Sequence, residues 1–254
     1  MKELDKIIEK YFSKDGDAIV YYSISQKEFT TMIQNMGRYE RPDILSIYNN
    51  KIVGIEHFEF DSYKNTKKGS NYQIQDSLME TKIKKEIEER LKKEKSIQVH
   101  GKIEGSSTLD NYYNNFEKHF KKHYSEIDSY IKNIRENFDC TDKTIEFWFF
   151  VEDVSPLGSY FLDKERKMKL LYPIYSDNII TLLKNSPKLK GIILGTYAMK
   201  EYKLIIINNN KKTLSRFSKE KQNVTDKDFV NFAPMTTGFV TRITKEELQG
   251  VNND

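Results

Sequence analysis

The segment from Pro42 to Asp61 constrains the fold more than any other part of the chain. Asn49-Asn50 divides two runs of β-formers, Asp43-Ile-Leu-Ser-Ile-Tyr48 before it and Lys51-Ile-Val-Gly-Ile-Glu-His-Phe-Glu-Phe60 after it. Two asparagines suit the positive φ angles of a tight two-residue hairpin turn. With the turn there, Tyr48 faces Lys51, and counting outward sets Asp43 opposite Glu56. Directly opposed residues share a face of the sheet, about 5 Å apart at Cβ. Two carboxylates held that close repel unless a cation or proton lies between them, so Asp43 and Glu56 form a candidate hard-metal site. Asp43 also has an ordinary use, capping a turn after Pro42. Glu56, flanked by Ile55 and Phe58 on a buried strand, needs a partner.

The chain has 254 residues, enough for a substantial core in one large domain or two small ones. Its 16 Tyr and 15 Phe can fill that core. The single cysteine, Cys140, excludes an internal disulfide and a cysteine-built zinc site. A net charge of +4 permits nucleic-acid contact without demanding it. Neither a signal peptide nor an apolar run of membrane-spanning length is visible, so a cytoplasmic, soluble protein is expected.

Apolar spacing predicts helices over 2–13, 28–36, about 77–95 and 177–184, and strands over 18–24, 144–151, 192–197 and 203–207. From Asp110, Tyr113, Phe116, Phe120, Tyr124, Ile127, Ile131, Ile134 and Phe138 recur at steps of three and four, which predicts one long helix over 110–138. After Asn208 the chain reads as a polar tail, of which only 229–240 is apolar enough to dock. No repeat or linker divides the sequence. It reads as a single α/β domain over 1–254 with a two-helix insertion near 71–140.

With the insertion set aside, the element order is helix, strand, strand, strand, helix, strand. Together with Pro42-Asp43 and Glu56, this resembles the PD-(D/E)xK nuclease superfamily. The resemblance implies a restriction-endonuclease-like central mixed sheet flanked by helices. It also implies a metal-dependent nuclease hydrolysing phosphodiester bonds of DNA or RNA, in a restriction or phage-defence setting. Asp43 and Glu56 would bind Mg2+ or Mn2+, with the His57 carbonyl as a further ligand and Glu9 assisting from the first helix. The family's lysine falls two residues after the strand carboxylate, where this chain has Phe58. Sliding the register to Glu59 brings Asp61 into that place and helps no more. Lys64, Lys67 and Lys68 are the nearest cations that could substitute.

His57 alternates onto the other face of its strand, where it reads as a packed histidine, with a base or ligand role as the alternative. His119 and His123 stand four apart, but Lys121 and Lys122 between them oppose a metal, so they read as a surface pair. Lys118, Lys121 and Lys122, beside Tyr112 and Tyr113, are candidate phosphate contacts. Glu152-Asp153, ending a core strand, either adds a carboxylate to the site or opens the next loop. Two other functions stay open. One is a catalytically degenerate module that binds nucleic acid or a protein partner. The other is a homodimer formed through the helix over 110–138.

Overall fold

The computed structural model describes residues 19–66, 69–94, 96–101, 107–155, 158–198, 201–221, 223–230 and 239–244. The helix expected over 2–13 lies outside them, with Glu9, as do Lys67 and Lys68. The hairpin is as read. β3 (Ile44–Tyr48) pairs antiparallel with β4 (Lys51–Phe60), Tyr48 opposite Lys51 and Ile44 opposite Ile55. Asn49 and Asn50 have φ of 44° and 56°, the left-handed values asparagine tolerates.

Ahead of the hairpin come β1 (Ile19–Tyr22), α1 (Gln26–Gln34) and β2 (Met36–Arg38). After it come β5 (Asn65–Thr66), β6 (Gly69–Ser70), α2 (Asn71–Arg90), β7 (Ser96–Gly101), α3 (Leu109–Ser125) and α4 (Ile127–Asn137). The chain continues through β8 (Thr144–Asp153), β9 (Tyr160–Leu162), β10 (Met168–Leu170), α5 (Asp177–Lys184), β11 (Leu189–Ala198) and β12 (Glu201–Asn208). It closes with α6 (Lys211–Glu220), β13 (Phe229–Val230) and β14 (Phe239–Thr244).

Seven strands form one mixed sheet in the order β1-β12-β11-β8-β4-β3-β2. β4, β8 and β11 run parallel at its centre. Their residues alternate between two cores, as a strand buried on both sides must. Phe58, Phe60, Phe147, Phe149 and Val151 meet Phe116, Phe120, Ile127 and Ile134 of α3 and α4 on one face. Val53, Ile55, Trp148 and Phe150 meet Phe29 and Met32 of α1 on the other. The protein is therefore an α/β fold with a mixed seven-stranded sheet flanked by helices.

Two readings of local structure change. The long helix is two helices meeting at Glu126, where the backbone (φ −88°, ψ −9°) tightens and the Glu126 amide bonds back three residues to His123 O at 3.2 Å. The supposed polar tail contains α6, capped by the Asn210 side chain on the Thr213 amide. Its buried Leu214 and Phe217 supply only two apolar positions, so the helix depends on docking rather than on its own pattern. Phe116, Phe120, Ile127 and Ile134 of α3 and α4 are wholly buried on the chain's own sheet. The stripe proposed for homodimer formation is thus already covered.

Candidate functional site

Glu56 lies in the middle of β4 and points under α3 and α4, with only 8% of the residue exposed. Its Oε1 accepts a hydrogen bond from the Tyr130 hydroxyl at 2.8 Å, and His123 Nδ1 lies 3.0 Å from the same oxygen. Its Oε2 is buried and has no hydrogen-bond partner among the described residues. Tyr130 sits there because it continues, at steps of three and four, the stripe by which α3 and α4 face the sheet. Burial, with the Glu56 carboxylate alongside, pushes its phenol far above the ordinary range.

Asp43 stands just outside β3, one step beyond the Ile44–Ile55 pair. Its Oδ2 accepts the His57 amide hydrogen bond at 2.8 Å. The Asn133 side chain, from α4, donates to Glu40 O and Arg41 O at 3.1 and 2.8 Å and fixes the turn that carries Asp43. Burial pushes the Asp43 carboxyl above its ordinary value. The His57 amide opposes that rise and the charge of Glu56 adds to it. The two carboxylates therefore sense each other, as the hairpin register requires.

Phe58, two residues after Glu56, is a shelf. The His123 ring stacks on it at 5.1 Å and 6°, and His119 at 6.3 Å and 16°. The expectation of a surface histidine pair fails here, since the His123 side chain is only 15% exposed. Burial pushes His119 below its usual value, and Lys118, His123 and Lys122 push it further. The signal was present in the sequence. His119, His123 and Tyr130 continue the three-and-four stepping of Phe116, Ile127 and Ile134, so they belong to the stripe that faces the sheet.

The other expected residues that are described, Lys64, Lys118, Lys121 and Lys122, are not gathered here. Lys64 is exposed beyond the end of β4, and Glu56 lies four residues, about 13 Å, before that end. Among the described residues the charges bearing on Asp43 are Glu56, His57 and His123, with no lysine among them. Lys118, Lys121 and Lys122 are exposed on α3, and Lys121 is paired with Glu117.

The opposite face of β4 holds a second group that the sequence did not assemble. His57, Glu59 and the buried Glu152 each offer a ligand atom, all within 4.8 Å of one another, and this group can hold a metal ion. Parallel pairing of β4 with β8 sets Glu59 beside Glu152. His57 Nε2 lies 2.8 Å from Glu152 Oε2, and its ring packs on Phe150 at 5.0 Å. The Tyr202 hydroxyl donates to Glu152 Oε1 at 2.5 Å. That phenol crosses β11 over Gly195, where a Cβ would stand 2.1 Å from the hydroxyl oxygen, so glycine leaves the room that the bond requires. One imidazole with two carboxylates suits Mn2+ or another transition metal better than Mg2+.

These features define a mixed-sheet α/β protein with carboxylate–histidine clusters on both faces of one central strand. No family model, curated protein or solved structure matches the chain. Among the described residues no helix is long and apolar enough to cross a membrane.

Proposed function

We propose that the chain is a divalent-metal-dependent, nuclease-like protein acting on phosphodiesters, on a restriction-endonuclease-like variant of the α/β sheet, with Asp43 and Glu56 as the Mg2+ or Mn2+ pair. Glu56 carries this reading: one buried oxygen is held by Tyr130 and His123, the other has no partner among the described residues, and its charge bears on Asp43. A divalent ion bound there would supply an acidified water and neutralise phosphate charge. The chain's own residues do the rest. Tyr130 holds the Glu56 carboxylate in place, and Phe58 orients His123. His123 takes the place of the absent lysine as the group that carries a proton beside the carboxylates. Lys118 and Lys122, exposed on the helix that bears His123, would contact phosphates.

The test is cleavage of plasmid and single-stranded DNA and RNA with Mg2+, Mn2+ or EDTA. Cleavage with Mn2+ that Glu56→Gln abolishes, while the fold persists, is the expected result. One observation favours a second reading, a non-cleaving binding module: Phe58 occupies the lysine place, and among the described residues no lysine bears on Asp43. On that reading nothing is cut, and salt-sensitive binding to nucleic acid survives Glu56→Gln.

A further inference from the structure

A third polar cluster lies at the carboxyl ends of the parallel strands, and neither reading above uses it. Asp153 ends β8 and is paired in register with Thr196 of β11 and Phe60 of β4. The alternation of the sheet places Asp153 and Thr196 side by side on the face covered by α3. Both are buried, at 2% and 1% exposure. Asp153 Oδ2 and Thr196 Oγ1 have no hydrogen-bond partner among the described residues. Neighbouring strands run about 4.8 Å apart, and no direct hydrogen bond joins the two groups. Buried polar atoms left in this way are uncommon in native folds and point to a bound species.

Further oxygens lie close by, on Asp61 and on four serines. Asp61, just past β4, is buried at 2% exposure, and its charge bears on Asp153. The hydroxyls of Ser62, Ser107, Ser155 and Ser159 form a buried chain, with contacts of 2.6 Å (Ser107 to Ser62), 3.3 Å (Ser155 to Ser62) and 3.1 Å (Ser159 to Ser155). The Ser62 amide donates to Ser155 Oγ at 3.1 Å, which ties the ends of β4 and β8 together. The Ser155 amide donates to Asp153 Oδ1 at 2.9 Å, so that oxygen is engaged and Oδ2 is the one left without a partner among the described residues.

We propose that this cluster is a structural site for a hard divalent cation, with Asp153 and Thr196 as ligands and Asp61 as the second negative charge. Calcium fits best. It accepts an irregular set of carboxylate and hydroxyl oxygens at about 2.3–2.6 Å, whereas magnesium keeps several waters that this depth of burial does not supply. The site lies where the ends of β4, β8 and β11 meet the loop after Phe60, so the cation would pin strand ends rather than take part in chemistry.

The test uses the full chain, stripped with EDTA and desalted, then titrated with CaCl2 or MgCl2 while the melting temperature is followed, with terbium luminescence as a second readout. Wild type and Glu56→Gln are both expected to melt higher with calcium than without, and more so than with magnesium. Asp153→Asn should abolish the rise, and Thr196→Val, which keeps the volume and removes the hydroxyl, should weaken calcium at least tenfold. Loss of the terbium signal in Thr196→Val keeps the test decisive should Asp153→Asn fail to fold. An unshifted wild type at 10 mM calcium, which would leave a water or a proton bridging the two side chains, overturns the proposal. So does a shift that Thr196→Val retains in full, or one that Glu56→Gln alone removes.

Discussion

Gly195→Ala isolates one atom whose placement the sheet depends on. The Gly195 backbone lies outside the left-handed region, so alanine meets no conformational penalty there. The whole effect comes from its methyl group. That carbon would stand 2.1 Å from Tyr202 Oη and 2.7 Å from Cζ, against the 3.5 Å or so of a comfortable contact. Tyr202 must withdraw by more than 1 Å, roughly, and its 2.5 Å hydrogen bond to Glu152 cannot survive that move. Glu152 is 1% exposed, so water does not replace the lost donor. A hydrogen bond to a charged group is worth about 1.5–3 kcal/mol, and overpacking adds about 1–3 kcal/mol. The expected loss is therefore about 3–5 kcal/mol. Urea denaturation followed by circular dichroism measures it, as a fall of roughly 1 M or more in the midpoint with the slope unchanged. Tyr202→Phe should cost about 2 kcal/mol, the hydrogen bond alone. Because that bond can be lost only once, the double variant should cost less than the two singles added together. A Gly195→Ala protein within 0.5 kcal/mol of wild type, or strict additivity with Tyr202→Phe, would show that the Tyr202–Glu152 contact is not what glycine protects.

Three further outcomes follow from the same geometry. Tyr130→Phe strips a donor from the buried Glu56 and should lower stability by about 1–3 kcal/mol in chemical denaturation; Tyr124→Phe, at a partly exposed ring of the same helix pair, should cost far less. Burial, opposed by Ser155 and Ser159, raises Asp153 from 3.8 to about 6 in the folded chain. Its contribution is full below pH 4 and lost as pH rises through 6, about 3 kcal/mol in all. EDTA-stripped wild type should weaken over that window relative to Asp153→Asn, and parallel pH–stability curves would refute this. Phe120→Asp puts a charge into a wholly buried position, and should abolish cooperative unfolding. A folded, merely dissociated variant on a sizing column would instead mean that the stripe serves a dimer.

The hairpin was legible because its determinants are local. Two asparagines accept positive φ, alternation assigns each β4 side chain to a face, and counting from the turn sets Asp43 against Glu56. The helix stripes were legible too, although 77–95 proved to be α2 at 71–90 and β7 was not foreseen. Reading His119 and His123 by their mutual spacing concealed that they share the stripe of Phe116 and Ile127.

What the sequence by itself determined is the periodicity: which residues of β4 face which way, and which side of α3 and α4 is apolar. Only the tertiary structure decided which partners each side chain meets. His123 and Tyr130 reach Glu56 across 67 and 74 residues, and Glu152 reaches His57 across 95. Those meetings depend on the parallel register of β4 with β8 and on the docking of α3 and α4 against the sheet. A slip of one residue in that register would turn Glu152 to the opposite face. No local pattern encodes such a register. It is set by the burial of both cores at once, so the clusters around β4 and the oxygen-lined strand ends exist only in the packed sheet.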